Sequence, residues 1–178
     1  MIYTTEYVSE VGVLTLASDG ERLVGLWIKG QKYHGGGLLA SAEERADLPL
    51  FSVVKDWLSR YFAGGKPEVS ELPLAPMGSG FRQAVWAILC SIPYGETCTY
   101  GDIARALTSS KGTPMSAQAV GGAVGHNPIS IIIPCHRVMG TGGSLTGYAG
   151  GIDKKMRLLA HEGVDLPRVI VPVKGTAL

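Results

Sequence analysis

Two apolar, β-branched-rich runs, residues 11–16 and 22–28, flank Ser18-Asp19-Gly20-Glu21. Strand-forming residues on both sides of an Asp-Gly dipeptide predict a β-hairpin, because Asp-Gly tolerates the positive φ of a tight turn. The period then changes. Leu50, Val53, Val54, Trp57, Leu58 and Tyr61 recur at three- and four-residue steps, followed by Gly64-Gly65. That is one face of a helix over residues 49–62 with a glycine stop. Residues 66–80 carry neither period and gather Pro67, Pro73, Pro76, Gly78 and Gly80. They predict a linker, dividing the chain into domains of residues 1–75 and 76–178.

Beyond the linker the pattern is helical and the ends are marked. Ser79 caps a helix over 81–92, with Phe81, Val85, Trp86, Ile88 and Leu89 on its apolar side and Pro93-Tyr94-Gly95 closing it. Thr99, with Asp102 three positions on, makes a capping box for a helix reaching Leu107. Thr113-Pro114 opens a third helix that Gly125 ends, residues 129–133 read as a short strand, and Asp153 caps a last helix closed by Gly163. The fold class is therefore α+β: a small strand-and-helix domain, then a mostly helical one.

The third helix carries Gly121 and Gly122 in its interior, each costing roughly 0.8–1 kcal/mol relative to alanine. Ala117, Gly121 and Gly125 fall one turn apart and leave a face without bulk. Such a face suits tight packing against another element, or presentation to a nucleic-acid groove by the helix before it. The connection over 108–113 is longer than the usual helix-turn-helix turn of about 3–4 residues.

Composition narrows the class. With 178 residues and 46% apolar content, the chain can bury a core, which excludes disordered and fibrous readings. Sixteen basic against fifteen acidic residues give a net charge of +1, but the halves differ. Residues 1–75 hold seven basic and ten acidic residues (net −3), and residues 76–178 hold nine and five (net +4). The near-neutral total therefore hides a modestly basic helical half. Glycine, 25 of 178, is twice its usual share of about 7%. Without a basic-then-apolar leader pattern or an apolar run near ~18 residues, the expectation is a cytoplasmic location and no membrane partner.

Cys90, Cys98 and Cys135 are odd in number and lack CxxC spacing, so no disulfide framework or cysteine-rich metal site is expected. A cysteine attacks as thiolate, and at a pKa near 8.5 it needs a base or a positive charge beside it. Only Cys135, in Pro134-Cys135-His136-Arg137-Val138, has such neighbours. Adjacency in an extended chain does not bring side chains together, so a buried structural thiol stays open on this feature alone. His136 as base needs an orienting partner. Glu162, a carboxylate in the last turn of a helix and so opposed to its dipole, is a candidate.

Pro134-Cys135-His136-Arg137-Val138, with Gly121-Gly122-Ala123 and Asn127-Pro128 before it and Gly147-Tyr148-Ala149-Gly150-Gly151 and Leu158-Leu159-Ala160-His161-Glu162-Gly163 after it, resembles the methylated-DNA–protein-cysteine methyltransferases. The close resemblance runs from about Phe81 to Gly163. It implies a ribonuclease-H-like N-terminal domain and a C-terminal domain with a winged-helix-like helix-turn-helix.

The resemblance also implies irreversible, one-time transfer of a methyl or larger alkyl group from the O6 atom of guanine, and possible action on methylated thymine, to Cys135. His136 acts as base through a water and Glu162 holds the imidazolium. Tyr148 donates to the departing base, Asn127 ties the recognition helix to the active-site segment, and Val138, Ala149 and Gly150 line the base pocket. Since O6 lies inside a duplex, the nucleotide must be flipped out. Tyr100 pushes on its phosphate, while Ser116, Ala117, Gln118, Ala119, Gly121, Gly122 and Arg137 meet the DNA. The implied partner is double-stranded DNA containing alkylated guanine, bound by a monomer without cofactor or metal. Gln118 stands where the family commonly has an arginine, and Ala149 where some members have serine. A non-enzymatic DNA-binding regulator would lack the thiol, and a cysteine hydrolase would turn over repeatedly.

Overall fold

The computed structural model describes residues 1–165. Its described residues divide into two compact units, Met1–Met77 with Pro128–Ile132, and Gly78–Asn127 with residues 133–165. The second expected domain extends to residue 178, and its stretch 166–178 lies outside the described residues.

In the first unit, β1 (Tyr3–Ser9), β2 (Gly12–Ser18), β3 (Leu23–Ile28) and the two-residue β4 (Glu43–Glu44) form a sheet in the order β3-β2-β1-β4. The expected hairpin is β2 with β3. Its turn is held by Asp19 Oδ1, which accepts from the amides of Glu21 (3.1 Å) and Arg22 (2.8 Å). β1 adds a strand that the sequence pattern did not predict, antiparallel to β2 from Tyr3↔Ser18 to Ser9↔Gly12. Helix α1 (Pro49–Phe62) starts on proline and buries Leu50, Phe51, Val54, Trp57, Leu58 and Tyr61. Each such side chain contributes roughly 1.5–3 kcal/mol by leaving water.

Two expectations are corrected here. Residues 66–75 are not a loose linker: Trp57 Nε1 donates to the Glu68 carbonyl (2.9 Å), Val69–Glu71 form a 3₁₀ turn, and β3 pairs with the chain near Leu74 through Leu23 N to Pro73 O and Ala75 N to Leu23 O, both 2.8 Å. Proline lacks a donor but keeps its carbonyl, so a sheet edge accepts it. Residues 129–133 are not a strand. Only Ile129 bridges to Leu26 before the chain turns, with Ile131 at φ 71. The run is apolar because Ile131, Ile132 and Ile133 are each 1% exposed, and a buried turn produces the same hydropathy as a buried strand. A β-branched residue in that region costs on the order of 1–3 kcal/mol.

The second unit contains α2 (Gly80–Cys90), α3 (Tyr100–Lys111), α4 (Ala117–Gly125) and α5 (Ile152–His161), with β5 (Cys98–Thr99) paired in parallel to β6 (Val138–Met139). Ser79 caps α2 by accepting from Arg82 N, and Thr99 and Asp102 form the expected box on α3. Helix α4 begins later than Thr113-Pro114 suggested. Ser116 is its cap, because Gly112 ends α3 at φ 67 and Met115 N is taken by Thr108 Oγ1 (3.0 Å). Val120, Ala123 and Val124 form the buried side of α4, where Trp86 Nε1 donates to the Ala123 carbonyl (2.9 Å). Among the described residues, no helix is long and apolar enough to cross a membrane.

Candidate active site

Cys135, His136 and Arg137 occupy a single 3₁₀ turn, Cys135–Arg137, directly before β6. A turn, unlike a strand, does not send successive side chains to opposite faces, and all three are buried, at 4%, 0% and 8% exposure. Glu162 follows α5 as its C-cap and is 5% exposed. His136 Nε2 lies 2.6 Å from Glu162 Oε1. The other ring nitrogen, Nδ1, is buried with no hydrogen-bond partner. A carboxylate on Nε2 fixes the proton there and leaves the Nδ1 lone pair available to accept one.

The resemblance sets Arg137 among the DNA-contacting residues; in the structure its guanidinium forks onto Glu162, with Nε to Oε2 at 2.8 Å and Nη2 to Oε1 at 3.0 Å, while Nη1 donates to the Ile92 carbonyl at 2.6 Å. The Tyr94 ring lies 5.7 Å from its Cζ. Gly95 completes the frame by donating N–H to Glu162 Oε2 at 3.2 Å. Its φ is +78, and a Cβ there would meet the Glu162 carbonyl at 2.9 Å, so only glycine fits.

Burial works against the Glu162 carboxylate, yet the His136 hydrogen bond and the Arg137 guanidinium outweigh it and hold the group well below the usual carboxylate range. Burial lowers His136 and prevails over the opposing pull of Glu162, so the imidazole is neutral near pH 7. Burial also raises all three thiols, Cys98 to about 11. Cys135 differs in what opposes burial: the Asn127 side chain, the Lys155 charge and the backbone amides of Cys135 and His136 favour its thiolate. Asn127 also donates to the Ile133 carbonyl (2.8 Å), linking the end of α4 to the cysteine turn.

Lys155 belongs to this site and was missed in the sequence. It is fully buried, and its Nζ donates to the carbonyls of Val138 and Thr146. Burial lowers its pKa to about 8 despite the opposing attraction of Cys135. A signal existed: Lys155, Leu158, Leu159 and Glu162 fall at helical spacing on the apolar stripe of α5.

Tyr148 is 7% exposed, and its hydroxyl is buried with no hydrogen-bond partner. Such a group costs folding free energy unless a ligand meets it. Val138, on β6, is fully buried, and Ala149 and Gly150 are half-buried. Tyr100, at the start of α3, donates through its hydroxyl to the carbonyls of Thr146 (3.0 Å) and Gly147 (3.1 Å) and so braces the Tyr148 loop. The remaining expected residues lie together at the exposed end of α4. Ser116 Oγ accepts from Ala119 N (3.1 Å), and Ser116, Ala117, Gln118, Ala119 and Gly122 are exposed, with Gly121 half-buried. A Cβ at Gly122 or Gly125 would meet nothing within 4 Å. Internal packing therefore does not require glycine at either position. No group of three or more His, Cys, Asp or Glu that could hold a metal occurs among the described residues.

Comparison with known proteins covers nearly the whole chain. The family description "6-O-methylguanine DNA methyltransferase, ribonuclease-like domain" matches residues 2–76, and "6-O-methylguanine DNA methyltransferase, DNA binding domain" matches residues 80–164. A Haemophilus influenzae protein named methylated-DNA–protein-cysteine methyltransferase is 42% identical over 163 residues, 92% of this chain and 87% of its own. A protein of the same name from Mycobacterium tuberculosis is 44% identical over 167 residues, 94% of this chain and 96% of its own. The crystal structure of Mycobacterium tuberculosis OGT in complex with DNA superposes with a TM-score of 0.75 at 41% identity, covering 94% of each chain.

Proposed function

Because this chain belongs to the 6-O-methylguanine DNA methyltransferase family and carries its activity, repair of DNA by alkyl transfer to a cysteine, we propose that Cys135 is the acceptor and O6-alkylguanine in duplex DNA the substrate. The observation that carries the assignment is the buried turn holding Cys135 beside His136, whose Nε2 is locked to Glu162 while Nδ1 has no partner. The thiol proton passes through a water to His136 Nδ1, and Glu162 stabilises the imidazolium that forms. The sulfur lone pair attacks the alkyl carbon in line, the carbon–O6 bond breaks, and its electron pair stays on the guanine. The Tyr148 hydroxyl donates to the base as that charge develops. A proton returned to the base leaves guanine and a thioether at Cys135. A thioether offers no easy leaving group, so one molecule repairs one lesion.

Lys155 supports this reading by holding the Val138 and Thr146 carbonyls on either side of the pocket and by placing a cation near the thiolate. The exposed N-terminal end of α4 enters the minor groove, whose degenerate code suits a protein that must inspect every sequence. The base is flipped into the space lined by Val138, Tyr148, Ala149 and Gly150, with Tyr100 bracing the loop. All groups invoked come from one chain, and we propose a monomer. The three cysteines are free, and an acceptor that must stay a thiol suits the reducing cytoplasm. Incubation with excess duplex carrying labelled O6-methylguanine tests the assignment. Label should plateau at one methyl per protein, whereas continued release of product would mean a hydrolase.

A further inference from the structure

Glu162 serves as the partner of His136, a role that by itself gives Arg137 no task. A guanidinium buried to 8% exposure is not needed to orient an imidazole, because one carboxylate oxygen already does so at 2.6 Å. Yet Arg137 spends two nitrogens on the same carboxylate and a third on the Ile92 carbonyl. Without the guanidinium, a buried carboxylate beside a histidine draws a proton onto the ring, since an ion pair then offsets the cost of its burial. A histidine already protonated cannot receive the thiol proton. Resting on the proposed roles of Cys135 and His136, we infer that Arg137 is a positioning residue for the proton: by forking onto Glu162 it neutralises the carboxylate and keeps His136 uncharged, a base ready to act.

The surroundings agree in sign. The charged and titratable groups that act on the pair include Arg137 from its own turn, Lys155 from α5, Tyr94 from the loop after α2 and Tyr148 from the pocket, where Cys135 in turn acts on Tyr148 and Lys155. Arg137 and Lys155 both disfavour a positive ring, and only Glu162 favours one. Tyr94 is pushed up first by burial and then by the Glu162 charge, and Tyr148 by burial, then Cys135 and Glu162, so both stay neutral and cannot replace the guanidinium. When transfer begins, the arrangement still serves the reaction: the thiol proton moves to Nδ1, and Glu162, one hydrogen bond away, stabilises the new cation.

The sign of the pH dependence follows. His136 must be neutral to act, so the rate falls as pH drops through its pKa, which burial places below the ordinary value of about 6.5. Removing Arg137 lets the pKa rise. Single-turnover methyl transfer from a methylated duplex, measured between about pH 5 and 9, should show the acid limb of Arg137→Gln displaced upward by about one unit relative to the wild type. Arg137→Lys, which keeps a charge without the fork, should fall between them. An acid limb unchanged in Arg137→Gln, with only the plateau lowered, would overturn the inference. Should the glutamine variant not fold, nitrogen NMR of His136 in the wild-type chain decides. A neutral ring protonated at Nε2 at neutral pH is expected, and a cationic ring there overturns the inference. Methylation of a residue other than Cys135 would instead overturn the reading on which it rests.

Discussion

The two units bury different things. The first fills its interior with Leu14, Leu16, Leu26, Ile28, Phe51, Trp57 and Leu58, and its buried polar residues, Thr5, Ser18, Gln31 and Ser130, are all uncharged. Its ion pairs, such as Lys29 with Glu6 and Arg60 with Asp56, lie on the surface, where solvent and salt screen them and each adds little to stability. The second unit buries His136, Arg137, Lys155 and Glu162, four ionisable side chains around one cysteine. Taking charges out of water costs several kcal/mol per ion, so such a cluster is a poor way to stabilise a fold. The contrast teaches where free energy serves folding and where it serves chemistry.

Breaking the contrast at its centre gives the largest effect. Glu162→Ala leaves the Arg137 guanidinium buried without its carboxylate and should destabilise the protein by about 3–5 kcal/mol in chemical denaturation. Removing Asp56 from its exposed pair with Arg60 should leave the denaturation midpoint nearly unchanged. Equal losses would erase the distinction between the two units.

Tyr148→Phe sharpens the contrast in the other direction. The hydroxyl is buried and unpartnered, so its removal should leave the melting temperature unchanged or higher while slowing methyl transfer by about a hundredfold. A loss of stability without a loss of rate would contradict the role given to it. Gly122→Ala is a milder version of the same test. A Cβ there meets nothing within the protein, so the variant should be more stable by about 0.8–1 kcal/mol, yet bind duplex DNA less tightly because the added methyl meets the groove. The smallest effect is expected from Gln118→Arg, which adds one charge at the exposed end of α4. It should raise duplex affinity a few-fold and steepen the salt dependence by about one phosphate contact. No change in a fluorescence titration would place residue 118 off the DNA.

Local rules wrote much of this architecture plainly. Helix α1 occupies the predicted residues because the apolar period, the leading Pro49 and the Gly64-Gly65 stop all agree. Ser79 and the Thr99–Asp102 box mark their helices for the same reason. Signals failed where tertiary contacts decide. Strand β1 mixes threonine and glutamate with its apolar residues and is held by pairing with β2. Residues 129–133 are apolar because they are buried, and their backbone is bent. At the site, Cys135 with His136 was legible because a thiol beside a base is unusual chemistry. The partnership of Arg137 with Glu162 spans 25 positions of chain and has no local pattern. Lys155 was concealed by the ordinary expectation that lysine faces water, although its place on the α5 apolar stripe could have raised it.

The most direct test of the account is intact mass, with peptide mapping, after incubation with a duplex containing a single O6-methylguanine. One methyl group on Cys135, none on Cys90 or Cys98, and no gain in Cys135→Ala is the predicted result. A methyl on another residue, or none at all, would contradict the assignment of Cys135 as the acceptor.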